Sequence, residues 1–428
     1  MPLLSRAVPS VLHIPAFRNL WLGQAISQIG DALYYVSFMF MVKKFTGSDA
    51  MVGYVGAVEM MPFFLFGLYT GVLADRMDRR TILLWSDLLC GIFLVPLGVM
   101  GVFMPVPPVW TLFVAAFLMS TVRAFFLPTK NATIPAIVPE KDLGKAISLS
   151  MATENFMRIG GLAVSVLVLA GLYNLSPQMF FVAVVLLNSL SFFLSAIFVA
   201  KLPPVIPERK EGDRGSVMFE FMEGLRYVLH RPVLLTMRVT GMLFSLMVAP
   251  FFVVYVASND AWFGGKPQTL AINEGMFFLG MLLTSGLVGK INPRRPGLAF
   301  CGALMTVGLG VGLMAFCREF WMFALLNLLC GLAIPFADIP MNTYMQLAVP
   351  DAMRGRVNSL AFMTSTAVMP IGMALGGMMI KQFGLVNAFL GMGGGMVLAT
   401  MTGLLSKPFR TAEMPESAGT PTTEPVPA

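Results

Sequence analysis

The 428-residue chain is 57% hydrophobic and only 12% charged, against about a quarter charged in ordinary soluble domains, which excludes a soluble globular fold. Its formal net charge of +7 is spread over many short segments and forms no basic stripe, so no nucleic-acid partner is expected. The chain contains no GxxxxGK[ST], GxSxG, HExxH or CxxC element, so neither an enzyme centre nor a bound cofactor is expected.

Apolar runs recur from Trp21 to Leu405, and the mean hydropathy is +0.78. A bilayer core of roughly 30 Å needs about 20 apolar residues per helix. A membrane barrel shows short alternating segments, whereas these runs are continuous. Twelve helical spans are therefore predicted, at roughly 18–42, 51–73, 80–103, 108–130, 144–171, 178–200, 232–257, 268–289, 296–316, 320–347, 357–381 and 385–406. Breaks fall at turn chemistry such as Thr46-Gly47-Ser48, Asn174-Leu175-Ser176-Pro177 and Gly264-Gly265-Lys266-Pro267. The first residues, Met1 to Leu12, lack a small-residue cleavage site, so no removable signal peptide is expected.

The longest polar interruption, Lys201 to Arg231, carries Pro203-Pro204 and Glu208-Arg209-Lys210-Glu211. It divides the chain into a six-helix half at 1–200, a linker at 201–231 and a six-helix half at 232–406, with a disordered tail at 407–428. Within the linker, Phe221, Leu225 and Val228 share one face of a short amphipathic helix, expected to lie in the membrane interface. Of 29 basic residues, 21 fall on the side that carries both termini. Five (Lys43, Lys44, Lys266, Arg318 and Lys381) fall opposite, and Arg123, Arg158 and Arg238 sit inside spans. The positive-inside rule then places both termini in the cytoplasm, with Lys43 and Lys44 as a small exception.

The halves echo each other. Val138-Pro139-Glu140, Gly144 and Ser148-Leu149 recur as Val349-Pro350-Asp351, Gly355 and Ser359-Leu360, and Gly71 with Arg79-Arg80 recurs as Gly286 with Arg294-Arg295. Duplicated bundles related by an axis along the membrane normal are a transporter architecture, with the site between the halves.

The segment Gly71-Val72-Leu73-Ala74-Asp75-Arg76-Met77-Asp78-Arg79-Arg80 resembles the G-x-L-A-D-R-x-G-R-R/K loop motif of the major facilitator superfamily. Asp78 stands where the second glycine is usual. Further segments resemble that superfamily's bacterial multidrug, macrolide and siderophore exporters: Phe17-Arg18-Asn19-Leu20-Trp21, Gly30-Asp31, Ile134-Pro135-Ala136-Ile137-Val138-Pro139-Glu140 and Gly224-Leu225-Arg226-Tyr227-Val228. The resemblance implies an all-α membrane protein of twelve helices in two pseudo-symmetric six-helix bundles. It also implies proton-coupled export of an amphipathic small molecule across the inner membrane, by a monomer. Metal-ion or lysolipid transport on the same fold stays open, as does a non-transporting membrane sensor or assembly partner. A Gly-Pro pair frequent in helix 5 of the superfamily's antiporters is absent, since Gly160-Gly161 has no proline nearby; antiport, as distinct from transport, is left open by this.

Ionisable residues inside spans are costly and so mark function by default. Asp31 in helix 1 and Arg123 in helix 4 lie at comparable depth. The resemblance implies that Asp31 is the proton- or cation-responsive group and Arg123 its partner; a static pair fixing helix packing is the alternative. Glu154 and Arg158, four apart on helix 5, share a face and can neutralise each other, lock two helices or join the coupling route. Glu59 in helix 2 either lines the cavity or reaches the outer interface. Gly71, Asp75, Arg76, Arg79 and Arg80 are expected at a cytoplasmic gate, together with Asp87, Arg238 and Asp338. The two histidines, His13 and His230, fall outside the spans, so carboxylates must carry any proton coupling. No metal-ligand spacing is present; the four cysteines, Cys90, Cys301, Cys317 and Cys330, read as small apolar fillers.

Overall fold

The computed structural model describes residues 10–154, 157, 176–207, 217–291 and 293–414. After a single 3-10 turn at Ser10–His13, the first half consists of α1 (Pro15–Thr46), α2 (Asp49–Arg76), α3 (Arg79–Phe103), α4 (Val109–Ile137), α5 (described over 140–154) and α6 (Pro177–Val199). A connector helix, α7 (Val217–Leu229), leads to α8 (Pro232–Val248), α9 (Phe251–Trp262), α10 (Pro267–Ile291), α11 (Pro296–Met314), α12 (Phe320–Ala348), α13 (Asp351–Leu405) and the short α14 (Lys407–Thr411).

Nine helical segments among the described residues are long and apolar enough to cross a membrane, and their breaks have physical causes. Pro250 supplies no backbone donor, which divides α8 from α9. Ala249 and Pro250 nonetheless keep right-handed helical torsions, so the two form one bent span, Pro232–Trp262. By contrast, α13 holds two spans. Gly384 (φ 78°, ψ 167°) interrupts it in a conformation that L side chains rarely adopt, giving a first and a second limb. Proline at N1 starts α1, α6, α8 and α11, where its missing N–H costs nothing.

Three elements differ from expectation. The fourth helix does not stop near residue 130 but continues through Pro128 and Pro135 to Ile137. The Thr129 and Thr133 hydroxyls back-bond to the Phe125 and Thr129 carbonyls in that stretch. Lys130 is thereby carried into the bundle. The connector helix packs its apolar stripe on protein: Val228, with Phe221 and Leu225 beside it, meets Met345 and Val349 of α12 and Val357 and Leu360 of α13. Glu223 pairs with Arg356 at 2.8 Å. At the far end, α14 buries Phe409 against Phe300, so the expected tail begins with a docked turn; residues 415–428 lie outside the described residues.

In the first half, α6 packs on α1 and α3, and α4 on α2 and α3; in the second, α12 packs on α10 and α11, and α13 on α8 and α11. The halves meet chiefly where α2 lies along the first limb of α13. The ends at Thr46, Asp49 and Trp262 mark one face of the molecule, here the Thr46 face; those at Pro15 and Arg76 mark the opposite, Arg76 face. The seam is tight toward the Thr46 face. Gly377 lies so close to Ala50 that a Cβ there would collide with the Ala50 backbone. Ala57, Ala249 and Met373 form a small core across it. Tyr35 and Phe252 touch at 5.1 Å between ring centres.

Candidate functional site

Asp31 sits halfway along α1 and accepts a 2.9 Å hydrogen bond on Oδ2 from Nη2 of Arg123, halfway along α4. Its other oxygen faces Nδ2 of the buried Asn188 on α6 at 3.5 Å. Only glycine at position 30 permits this approach, because a Cβ there would collide with Asn188 and Ser191. Three helices thus converge on one carboxylate.

The seven-residue spacing from Arg123 to Lys130 returns the chain to the same helix face. Lys130 bonds Glu154 of α5 at 3.2 Å, with its own side chain 8% exposed and that of Glu154 42% exposed. Asp87, on α3, is buried and accepts a 2.6 Å bond from the Ser195 hydroxyl. Asp31, Asp87, Arg123, Lys130 and Glu154 all line one cavity that is partly open to its surroundings. Phe126 and Phe192 supply an apolar wall. Gln24 and Gln28, one turn apart on α1, also line it, and Gln24 Nε2 and Gln28 Oε1 have no partner among the described residues. Such polar atoms beside an apolar wall are the groups that orient a bound ligand.

Two further polar groups lie behind the Asp31–Arg123 bridge. Glu59 of α2 is 9% exposed, within electrostatic reach of both Arg123 and Asp31. Its Oε2, and the hydroxyl of buried Tyr34, lack hydrogen-bond partners among the described residues.

The residues expected at a gate divide. Asp87 belongs to the cavity wall, not to a helix end, because its side chain turns toward α6. Arg79 donates to the Ala132 carbonyl of α4 at 2.9 Å, and Arg80 to the Ala200 carbonyl after α6 at 2.6 Å. These bonds tie helix ends within the first half. Asp78 caps α3 by accepting from Arg80 N at 3.2 Å and from the Thr81 hydroxyl at 2.9 Å, and it also accepts from Val205 N at 2.7 Å. Arg79 N returns a bond to Val205 O at 3.0 Å, so the aspartate that departs from the motif clamps the start of the linker. Arg76 is exposed. The surroundings of Gly71, the side chain of Asp75, and the whole of Arg158, Gly160 and Gly161 lie outside what the structure describes. Glu154 therefore appears here with Lys130 as its partner. In the second half, Arg238 donates to Met345 Sδ at 3.4 Å and has a buried, unpartnered Nε among the described residues; Asp338 is exposed on α12 between Pro335 and Pro340.

Lys130, Asn188 and Ser195 were not singled out from the sequence. For Lys130 a signal existed in its spacing from Arg123. Asn188 and Ser195 are neutral polar residues in an apolar span, and nothing local distinguishes them from packing residues.

The family model of the Major Facilitator Superfamily matches residues 20–372 and 263–427. Macrolide efflux protein A of Streptococcus pyogenes is 26% identical over 378 residues, covering 87% of this chain and 91% of that protein. The enterobactin exporter EntS of Shigella dysenteriae serotype 1 is 26% identical over 372 residues, 84% of each chain. Among solved structures, the nucleoside transporter NupG superposes with a TM-score of 0.74 at 12% identity, covering 92% of this chain and 100% of that one. A bacterial homologue of the iron transporter ferroportin, in an inward-facing state, superposes with a TM-score of 0.72 at 15% identity, covering 92% and 98%.

Proposed function

The chain belongs to the Major Facilitator Superfamily, and from that premise we propose that it exports an amphipathic small molecule of the drug, macrolide or siderophore type in exchange for protons. The observation that carries this reading is the cavity itself. Two ion pairs, Asp31–Arg123 and Lys130–Glu154, line one partly open cavity within the helical bundle together with Phe126 and Phe192. Charges in lipid are tolerated where they face a hydrated cleft or each other, and here they do both. Two exporters at 26% identity over most of their length support the direction and the substrate type.

In this reading the Arg76 face is cytoplasmic, in the inner membrane, and both termini share that side. The Thr46 face is external and is closed by the α2–α13 seam. Substrate enters the cavity from the cytoplasm, and the halves then rock so that the seam opens. Uptake of a proton by the carboxylates around Arg123, Asp31 foremost, weakens their hold on the guanidinium and favours the return. The test is reconstitution in liposomes with an imposed pH gradient, using radiolabelled erythromycin and a catecholate siderophore as probes. Gradient-driven accumulation of either probe is expected, and its loss in Asp31→Asn. Wild-type accumulation rates in Asp31→Asn would overturn the assignment to Asp31.

A further inference from the structure

We propose that Glu59 is a positioning residue that reports the coupling proton to the seam between the halves, which refines the proton-exchange reading above and rests on it. Glu59 lies on α2, the helix of the first half that makes most of the seam. On α2, Ala57 and Met60 pack against Ala249, Met369 and Met373 of the second half. Two positions on from Ala57, the buried Glu59 carboxylate lies within electrostatic range of Arg123 and Asp31. A shift in α2 that follows the charge on Glu59 is therefore a shift in the seam.

The described arrangement assigns the proton. The seam is closed toward the Thr46 face while the Asp31–Arg123 bond is intact at 2.9 Å. Asp31 is thus a bridging carboxylate in this arrangement. Glu59 Oε2 is buried with no donor among the described residues, an environment that suits a neutral acid and penalises a carboxylate. Guanidinium carries five N–H donors in a fixed fork, so Arg123 retains donors for a second acid. When Glu59 releases its proton, the new carboxylate is drawn to Arg123, which then bridges Asp31 and Glu59. That movement turns α2 toward α1 and α4 and loosens its contact with α13. One proton leaves, one carboxylate forms, and the bridge gains one charge-assisted bond. The titratable groups facing Glu59 are Asp31 and Tyr34 from α1 and Arg123 from α4. The described seam residues of α8 and α13 nearest it (Ala249, Met369 and Met373) are uncharged.

The closed Thr46 face therefore holds one more proton than the open one, so acid favours closure and alkali opening. Spin labels on Ser48→Cys and Lys266→Cys, which flank that face, read the separation in lipid nanodiscs without any substrate; the four native cysteines are buried and free. Between about pH 5 and about pH 9, the open-to-closed ratio of the otherwise wild-type protein should rise about tenfold, within the usual range of coupling between sites. Glu59→Gln should stay closed throughout, and Glu59→Asp should restore the rise. A merely structural glutamate would lower the melting temperature of Glu59→Gln and leave its pH response in place. If Glu59→Gln opens with pH as the parent does, the proposal is overturned, and a flat Asp31→Asn profile would then leave proton exchange centred on Asp31. A parent protein that does not respond to pH overturns both readings.

Discussion

Lys44 at the end of α1 and Asp260 at the end of α9 form an ion pair of 2.8 Å across the two halves. It sits at the Thr46 face, beyond the Tyr35–Phe252 contact. Both side chains are about a third exposed, so salt and water screen the pair, and its contribution is on the order of 0.2–1 kcal/mol. Such an amount does little to a fold but matters to a balanced gate. Asp260→Asn is expected to raise the open population at this face about 1.4- to 5-fold. The rate at which a thiol reagent modifies Phe252→Cys reads that population. Lys44→Asp combined with Asp260→Lys should return the rate toward the parent value, and a double variant as reactive as the single one would show that the pair is no latch.

The backbone contact between Gly377 and Ala50 sets two effects against each other. In an isolated helix, Gly→Ala stabilises by about 1 kcal/mol. Here the added Cβ meets backbone, which no rotamer change relieves, and overpacking of that kind costs typically 1–3 kcal/mol. The steric cost is expected to win, so Gly377→Ala should lower the melting temperature of the detergent-solubilised protein. A higher melting temperature would mean that helix propensity dominates and the seam is loose.

Twelve spans and two matched halves were legible because a bilayer demands long apolar runs and because the duplicated motif survives in both halves. Asp31 and Arg123 stood out for a related reason, since two charges at one depth in lipid need each other. The Lys43 and Lys44 exception to the charge rule also finds its reason, as Lys43 pairs with Asp49 at 2.5 Å and Lys44 with Asp260. Lys130 was hidden because a fourth span ending near residue 130 sets this lysine at the membrane edge, whereas the helix runs on to Ile137. The roles of Arg79 and Arg80 were hidden differently. A sequence shows that a cation stands at a helix end, but not that Ala132 and Ala200 bring their carbonyls to it.

The Lys130–Glu154 pair is asymmetric, and that fixes the order of its mutants. Lys130 is nearly buried, whereas Glu154 reaches the cavity. Glu154→Gln leaves a buried ammonium without its counter-ion, a defect that reaches 3–5 kcal/mol for fully buried pairs and is smaller here because of the exposure of Glu154. Lys130→Met leaves a carboxylate that the cavity can hydrate. Thermal unfolding should therefore rank parent, Lys130→Met and Glu154→Gln in falling stability, with the double variant above Glu154→Gln alone. Equal losses in the two single variants would contradict the burial difference.

Asp78 does two jobs with one carboxylate, and replacing it with the glycine usual in the motif separates them. As the cap of α3 it satisfies an otherwise unpaired N–H, worth roughly 1 kcal/mol, and glycine recovers most of that. As the acceptor for Val205 N it holds the linker's first residues on the α2–α3 turn, and glycine recovers none of it. Asp78→Gly should consequently leave the melting temperature nearly unchanged while trypsin cleaves faster after Lys201, beside the released segment. Asp78→Asn keeps an acceptor oxygen and should protect that bond in part. Cleavage at the parent rate in Asp78→Gly would show that buried Leu202 and Val205 hold the linker by packing alone.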